Sequence, residues 1–164
     1  SCGVEASLRG QLLDGHLAWG VNYGYTHAVF KEYTDSVSGQ NGMEAVSYKD
    51  KRVPFVPEHT LAANADYRID FPGTLKSITL GANVSMRGKT YWDNDNLYSQ
   101  KLYTLLGAHA DADFGVAAVS LWGRNLTGAK YDTFATDSRM AGETLYFAQQ
   151  GNPLQVGVDV RLHF

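Results

Sequence analysis

The 164-residue sequence has a single cysteine, Cys2, and its unbroken apolar runs are only a few residues long. One cysteine cannot form an internal disulfide and cannot supply a cluster of metal ligands. A transmembrane helix needs about 20 consecutive apolar residues, so the sequence excludes a helical membrane span. No signal peptide is recognisable at the amino terminus, and we therefore expect an exported chain of this sequence to be a mature chain or a fragment.

An excess of charge of one sign is also missing, because 14 Lys and Arg stand against 17 Asp and Glu and no block of like charge occurs. Nucleic-acid binding therefore has no electrostatic support, and we expect no nucleic-acid partner. Proline is scarce, and Pro54, Pro57, Pro72 and Pro153 all lie outside the predicted strand interiors. By contrast, 17 glycines and an aromatic content of 12% favour an all-β chain.

The clearest pattern is at the carboxyl terminus, where residues 154–164 alternate between apolar and polar side chains. The apolar set is Leu154, Val156, Val158, Val160, Leu162 and Phe164. Period two indicates a β-strand, since successive side chains point to opposite faces of a sheet. About ten such residues are enough for a tilted strand to cross a bilayer. The charges on the other face fit a membrane strand only if that face lines a polar lumen.

Similar patterns recur along the chain, and none of the segments has convincing helical periodicity. We predict about seven strands. They lie at residues 4–9, about 16–33, 60–71, from about 78 onward, 102–114, 116–125 and 154–164.

The predicted connections alternate in length. Short ones lie near residues 11–15, 72–76 and 113–115, and long ones at about 34–53, 91–100 and 126–152. Outer-membrane barrels have short periplasmic turns and long external loops, with aromatic residues at both interfaces. The sequence therefore predicts an antiparallel transmembrane β-barrel portion in a bacterial outer membrane. A small outer-membrane barrel enzyme acting on lipid and a soluble β-sandwich binding module are the alternatives.

Three stretches carry a resemblance to a known family. The terminal strand resembles the assembly signal that the outer-membrane insertion machinery reads, with matches at Gln155, Gly157, Val160, Leu162 and Phe164. Residues 52–61, with their two prolines, resemble the entry to a late barrel strand of TonB-dependent receptors. Residues 122–131, in which Asn125-Leu126 precedes Tyr131, resemble the end of that family's penultimate strand. The order and spacing of the three stretches also match.

This resemblance implies that the chain is the carboxyl-terminal part of a receptor barrel of about 22 strands. The amino-terminal plug domain, which gates the pore and couples it to TonB, is absent from residues 1–164. The implied function is TonB-dependent uptake of a scarce nutrient, such as an iron chelate bound as a siderophore, cobalamin or a glycan. The implied partners are the TonB complex and the plug, both through the full-length receptor, together with outer-membrane lipid and the insertion machinery. The barrel would be a scaffold and a platform for loops, not an enzyme, and we expect no cofactor.

The best candidates for ligand binding lie in a predicted external loop. Tyr91, Trp92, Asp93 and Asp95 combine aromatic faces with carboxylate oxygens, and Asn94 and Asn96 add amides. Such a set could stack on a ligand or hold a hard cation. The alternative is an interfacial aromatic pair followed by an ordinary Asn/Asp turn.

The predicted lumen face carries charged side chains but no catalytic set. His109, Asp111 and Asp113 share one face of a strand, where they could line up toward a metal or contact a plug and water. We expect the second arrangement and no metal site. Asp66, Arg68, Arg87 and Asp111 are further candidates for pairing with a plug.

Overall fold

The computed structural model of the protein describes residues 1–39, 42–140 and 143–163. The described chain forms thirteen β-strands. They are β1 (Cys2–Leu12), β2 (Leu17–His27), β3 (Thr34–Gly39), β4 (Gly42–Ser47), β5 (His59–Asp70), β6 (Ser77–Arg87), β7 (Thr90–Tyr91), β8 (Ser99–Gln100), β9 (Tyr103–Asp113), β10 (Ala117–Arg124), β11 (Asp132–Met140), β12 (Glu143–Gln150) and β13 (Gln155–Leu162). In these residues we find no helix with the length and apolarity that a membrane crossing demands.

Seven of the strands form one antiparallel sheet, in the order β1-β2-β5-β6-β9-β10-β13. The order in space follows the order along the chain, as expected where each strand is joined to its neighbour by a hairpin connection. Within the described part of the chain, β1 and β13 are the two edges and do not pair with each other, so the sheet is open. The predicted all-β class and the antiparallel sheet of about seven strands are therefore confirmed.

The pairing register collects the alternating side chains into two continuous faces. On the first, the apolar face, Leu61 of β5 lies between Tyr23 of β2 and Met86 of β6. This face is open to its surroundings, and Val4 and Val158 near its two edges are 66% and 62% exposed. The opposite or polar face carries amides, hydroxyls and charges, among them Asn22, Asn64, Asp66, Asn83, His109, Asp111, Ser120 and Asp159.

Among the described residues, the seven-stranded sheet has no hydrophobic core of its own. The buried apolar side chains of the described residues are Ala28, Tyr48, Trp92 and Ala135, and all four lie outside the seven-stranded sheet. A sheet with an apolar face is stable only when another layer or an apolar medium covers that face. The two faces of this sheet therefore call for two different environments, one apolar and one polar.

The second strand is shorter than the sequence predicted. The pattern favoured one strand over residues 16–33, but β2 ends at His27. The physical reason is the loss of both partners, since β1 begins opposite His27 and β5 begins opposite Tyr25. Beyond that point the backbone pairs instead with the segment that follows β4, for example from Val53 N–H to Ala28 O at 3.0 Å.

The long connections are partly ordered as hairpins that the sequence did not predict. β3 pairs with β4, β7 with β8, and β11 with β12.

The register also shows which side chains of the sixth predicted strand lie on which face of the sheet, a question that its sequence leaves open because both alternating sets are fairly apolar. Trp122 of β10 lies opposite His109 and Gly157 on the polar face, whereas Leu121 lies opposite Ala110 and Val158 on the apolar face.

Candidate functional site

All three long connections leave the same end of the sheet, which we call the loop end. They follow β2, β6 and β10 and comprise residues 28–58, 88–102 and 125–154. The short turns, at residues 13–16, 71–76 and 114–116, lie at the opposite end. The predicted alternation of short and long connections is therefore present, and the loop end gathers segments that are distant in sequence.

Arg52 holds the first two connections together. Its guanidinium donates to Glu58 Oε1 at 2.8 Å and lies 3.2 Å from Nδ1 of His27. Its backbone N–H donates to Asn96 Oδ1 at 2.7 Å, and its carbonyl accepts from Asn96 Nδ2 at 2.9 Å. Asn96 has φ of 60°, a left-handed conformation that asparagine tolerates better than most residues. This reciprocal amide clamp fixes the 88–102 connection against the 28–58 connection.

Two of the four loop residues singled out in the sequence have structural partners. The carboxylate of Asp93 accepts the N–H groups of Leu97 at 2.9 Å and Tyr98 at 2.8 Å, which closes the turn. The Lys89 ammonium donates to the Tyr91 hydroxyl at 2.8 Å and lies 4.3 Å from the centroid of the Tyr91 ring. Asp93 therefore has the structural role that an Asn/Asp turn gives it.

The other two loop residues, Trp92 and Asp95, each have a polar group without a partner among the described residues. Trp92 is only 8% exposed, and its Nε1 is buried without a hydrogen-bond partner among the described residues. Leaving such a donor unpaired costs about 1–3 kcal/mol. The Asp95 carbonyl accepts from Lys51 Nζ at 3.1 Å, but in the described part of the chain no hydrogen bond or ion pair engages its carboxylate.

Trp92, Asp93 and Asp95 line a groove of about 660 Å³, whereas Tyr91 does not. The walls come from the hairpin β3–β4, residues 54–55, the turn at 92–97 and β11. Tyr48 and Phe55 add two more aromatic rings to this lining. The groove therefore combines aromatic surface with the two carboxylates, and its described lining holds no Lys or Arg.

Phe55 is the most exposed aromatic residue of the groove. It is 48% exposed and has φ of 64°, a conformation rare for a bulky residue. Its ring stacks on Phe134 at a centroid distance of 5.9 Å and packs against Trp92 at 5.6 Å. Its N–H donates to the Tyr91 carbonyl at 2.8 Å. A strained, exposed aromatic residue held in place by its neighbours is a feature that concentrates at functional sites.

Sequence reasoning did not select Phe55 or Tyr48. Neither belongs to a local motif, because the groove forms only when separate connections meet. Pro54 before Phe55 was the available signal, since it marks the point where the chain turns toward β5.

Two tyrosines at the loop end have raised pKa values. The negative charge of Asp35 is the main cause for Tyr33, with smaller contributions from burial and from the hydrogen bond between them. Partial burial is the main cause of the raised pKa of Tyr146, followed by the charges of Asp132 and Tyr98. Both phenols therefore stay protonated through the neutral range, and the Tyr33 hydroxyl donates to Asp35 Oδ2 at 3.3 Å.

On the polar face, His109 lies between two carboxylates from different strands. Its Nε2 is 3.3 Å from Asp66 Oδ1 and 3.3 Å from Asp111 Oδ2. A Cβ at Gly81 would overlap both His109 and Asp66, so this approach requires glycine. Asp113 does not join them, because its carboxylate accepts the Gly115 N–H at 2.8 Å. Across the described residues, no group of three His, Cys, Asp or Glu side chains is arranged to hold a metal ion.

The described residues of the predicted assembly signal lie on β13, an edge of the sheet. Gln155 and Gly157 are on the polar face, and Val160 and Leu162 are exposed on the apolar face. Phe164 lies outside the described residues.

Gly157 also has a role in packing. A Cβ there would overlap the indole of Trp122, which lies directly over the glycine. The Trp122 Nε1 donates to Asp159 Oδ2 at 2.8 Å, and the Arg124 guanidinium lies 4.9 Å from its ring.

Comparison with known proteins identifies the family. The model of the family described as TonB dependent receptor-like, beta-barrel matches residues 2–126. The chain therefore belongs to the TonB-dependent receptor β-barrel family. Members of this family are receptors and transporters of the outer membrane, and they act together with TonB, a plug and a nutrient ligand.

Solved structures show the same fold. The ferric yersiniabactin uptake receptor FyuA of Yersinia pestis matches with a TM-score of 0.76 and 21% identity, over 99% of this chain and 23% of that one. The siderophore receptor PiuA of Acinetobacter baumannii matches with a TM-score of 0.76 and 21% identity, over 96% of this chain and 21% of that one. FpvA of P. aeruginosa, solved with heterologous pyoverdines, matches with a TM-score of 0.53 and 17% identity, over 98% of this chain and 26% of that one. The chain thus spans about a fifth to a quarter of these receptors.

Proposed function

We propose that the chain is the carboxyl-terminal segment of an outer-membrane receptor barrel that takes up an iron chelate, and that its loop end forms part of the ligand-binding surface. One observation carries this proposal: separate connections converge at the loop end on a groove lined by aromatic rings and carboxylates. The fold matches an uptake receptor for ferric yersiniabactin, a siderophore receptor and a receptor solved with bound pyoverdines. The plug and the remaining strands would be contributed by other parts of the receptor.

The open sheet supports a place inside a larger barrel. In a bilayer, an unpaired strand edge leaves backbone N–H and C=O groups without partners, at a cost of several kcal/mol each. β1 and β13 are both such edges in the described chain. Further strands would pair with them, outer-membrane lipid would cover the apolar face, and the plug would occupy the space over the polar face. Transport would then depend on TonB acting through the plug.

In this proposal the groove contributes aromatic contact to the chelate. Phe55, Trp92 and Tyr48 supply the aromatic surface, and Asp93 and Asp95 supply oxygen acceptors. The site residues chosen from the sequence are thus retained in different roles. Trp92, Asp93 and Asp95 face the ligand, and Tyr91 positions Phe55 through its carbonyl.

Uptake by the full-length receptor tests the function. Cells that carry the receptor as their only route for iron chelates should accumulate chelated radioactive iron, and deletion of TonB should abolish this uptake. Growth on a limiting glycan or on cobalamin, with no uptake of iron chelates, would contradict the proposal.

A matched pair of variants tests the groove. Phe55→Ala removes a groove ring that is 48% exposed, whereas Phe147→Ala removes a ring of β12 that is 55% exposed and does not line the groove. We expect Phe55→Ala to weaken chelate binding by about tenfold, because a single aromatic anchor contributes more than about 1 kcal/mol. Phe147→Ala should leave affinity within about twofold. If the two variants bound the chelate with equal affinity at equal surface levels, the groove would not be part of the binding surface.

A further inference from the structure

We infer that the groove at the loop end recognises a positively charged group of its ligand, so that the receptor favours chelates with a free ammonium or guanidinium over polyanionic ones. The inference rests on the proposed function, because it concerns the ligand of the same groove. It follows from the combination of side chains in the lining, which has carboxylates and aromatic faces but no base among its described residues.

The two carboxylates of the groove are not equivalent. Asp93 accepts two backbone N–H groups, which compensate much of its charge. Asp95 has no such partner in the described chain, and its carboxylate is the free acceptor of the groove. A ligand cation would therefore find its counter-ion at Asp95.

Three bases of the same two connections already have partners. The Arg52 guanidinium is paired with Glu58 at 2.8 Å, and the Lys89 ammonium lies on the Tyr91 ring. The Lys51 ammonium donates to the Asp95 carbonyl rather than to a carboxylate, and Lys51 is not part of the lining. Among the described residues that line the groove, no base is therefore present to receive an anionic ligand.

The aromatic rings favour the same ligand. The face of tryptophan or phenylalanine attracts a cation through the ring quadrupole, most strongly where water is excluded. Trp92 and Phe55 pack against each other at the groove in a tilted arrangement, with an interplanar angle of 56°. An aromatic wall beside a carboxylate is the combination that binds ammonium groups, and it repels dense negative charge.

Three iron chelates and two variants of the full-length receptor test the inference. The first chelate is a linear ferric trihydroxamate with a free ammonium, and the second is the same chelate with that ammonium acetylated. The third is a trianionic ferric triscatecholate. Asp95→Asn removes the charge of the free groove carboxylate with little change of shape. Asp50→Asn is the matched control, since Asp50 is an exposed loop-end carboxylate outside the lining whose φ of 63° asparagine also tolerates.

Titration of the purified receptor should show that the ammonium chelate binds about tenfold more tightly than its acetylated form, as one charge pair in a partly dehydrated groove would give. Asp95→Asn should reduce that ratio to about twofold, and Asp50→Asn should leave it unchanged. A ratio that Asp95→Asn does not alter, or tightest binding of the triscatecholate, would overturn the inference and leave the proposed function intact. Binding of none of the three chelates would overturn both.

Discussion

Replacing Gly157 with valine should destabilise the carboxyl-terminal strand because Trp122 occupies the space that the new side chain needs. The indole would have to move, which would break its 2.8 Å hydrogen bond to the Asp159 carboxylate. The indole would also lose its contact with the Arg124 guanidinium, which lies 4.9 Å from the ring in the wild-type protein. A hydrogen bond to a charged group contributes about 1.5–3 kcal/mol, and an exposed cation–π contact about 0.5–1 kcal/mol. Because the site is open to water, we expect a net loss of about 2 kcal/mol.

Urea unfolding of the full-length receptor in lipid vesicles measures this loss, and surface labelling of cells measures insertion. The double variant Trp122→Ala with Gly157→Val separates the two possible roles of the glycine. If glycine is needed at position 157 because of the contact with Trp122, removing the indole makes room for valine. The double variant then recovers most of the stability and of the surface level that Gly157→Val alone loses. If the insertion machinery reads Gly157 itself, as the predicted assembly signal implies, the double variant stays poorly inserted. That second result, or a Gly157→Val receptor as stable as the wild type, would refute the packing argument.

Three further predictions concern the two faces of the sheet, the contact between Asn96 and Arg52, and the open edges of the sheet. Ala65→Arg should cost about 2–4 kcal/mol if it enters lipid, whereas Asn64→Lys on the polar face should cost less than about 1 kcal/mol, and equal losses in urea unfolding would contradict the assignment. Asn96→Ala removes both amide bonds to Arg52 and should make residues 88–102 more sensitive to protease, while unchanged cleavage would show that the clamp does not order this connection. The isolated 164-residue chain should self-associate in detergent because its edges are open, and light scattering that reports a stable folded monomer would show that the sheet closes by itself.

The sheet could be predicted from the sequence because period-two alternation reports directly on which face each side chain occupies. In β5 and β13 the apolar and polar sets are cleanly separated, and a register shift of one residue would exchange the faces. The prediction failed beyond β2. Residues 28–33 were assigned to the second strand, but β1 and β5 no longer accompany them.

The candidate site was less predictable because it depends on contacts between connections. Trp92, Asp93 and Asp95 were visible as a local cluster, but Phe55 and Tyr48 join them only through the arrangement of the loop end. Asn96 read as an ordinary turn residue, whereas its amide clamps Arg52, which is 44 residues away in sequence. Likewise, His109 was grouped with Asp113 by strand spacing, but the register between β5, β6 and β9 places it beside Asp66 across Gly81.

A nitroxide scan along β5 of the full-length receptor in lipid tests most directly whether this chain forms the wall of a larger membrane barrel. Each residue from His59 to Asp70 is replaced in turn by a labelled cysteine, with Cys2 changed to serine, and its accessibility to oxygen and to a polar nickel reagent is measured. Positions such as Leu61, Ala63 and Ala65 should be accessible to oxygen and shielded from nickel, and the positions between them should show less oxygen accessibility. Uniform accessibility along the strand, or alternation with the opposite phase, would contradict a barrel wall with lipid on its apolar face.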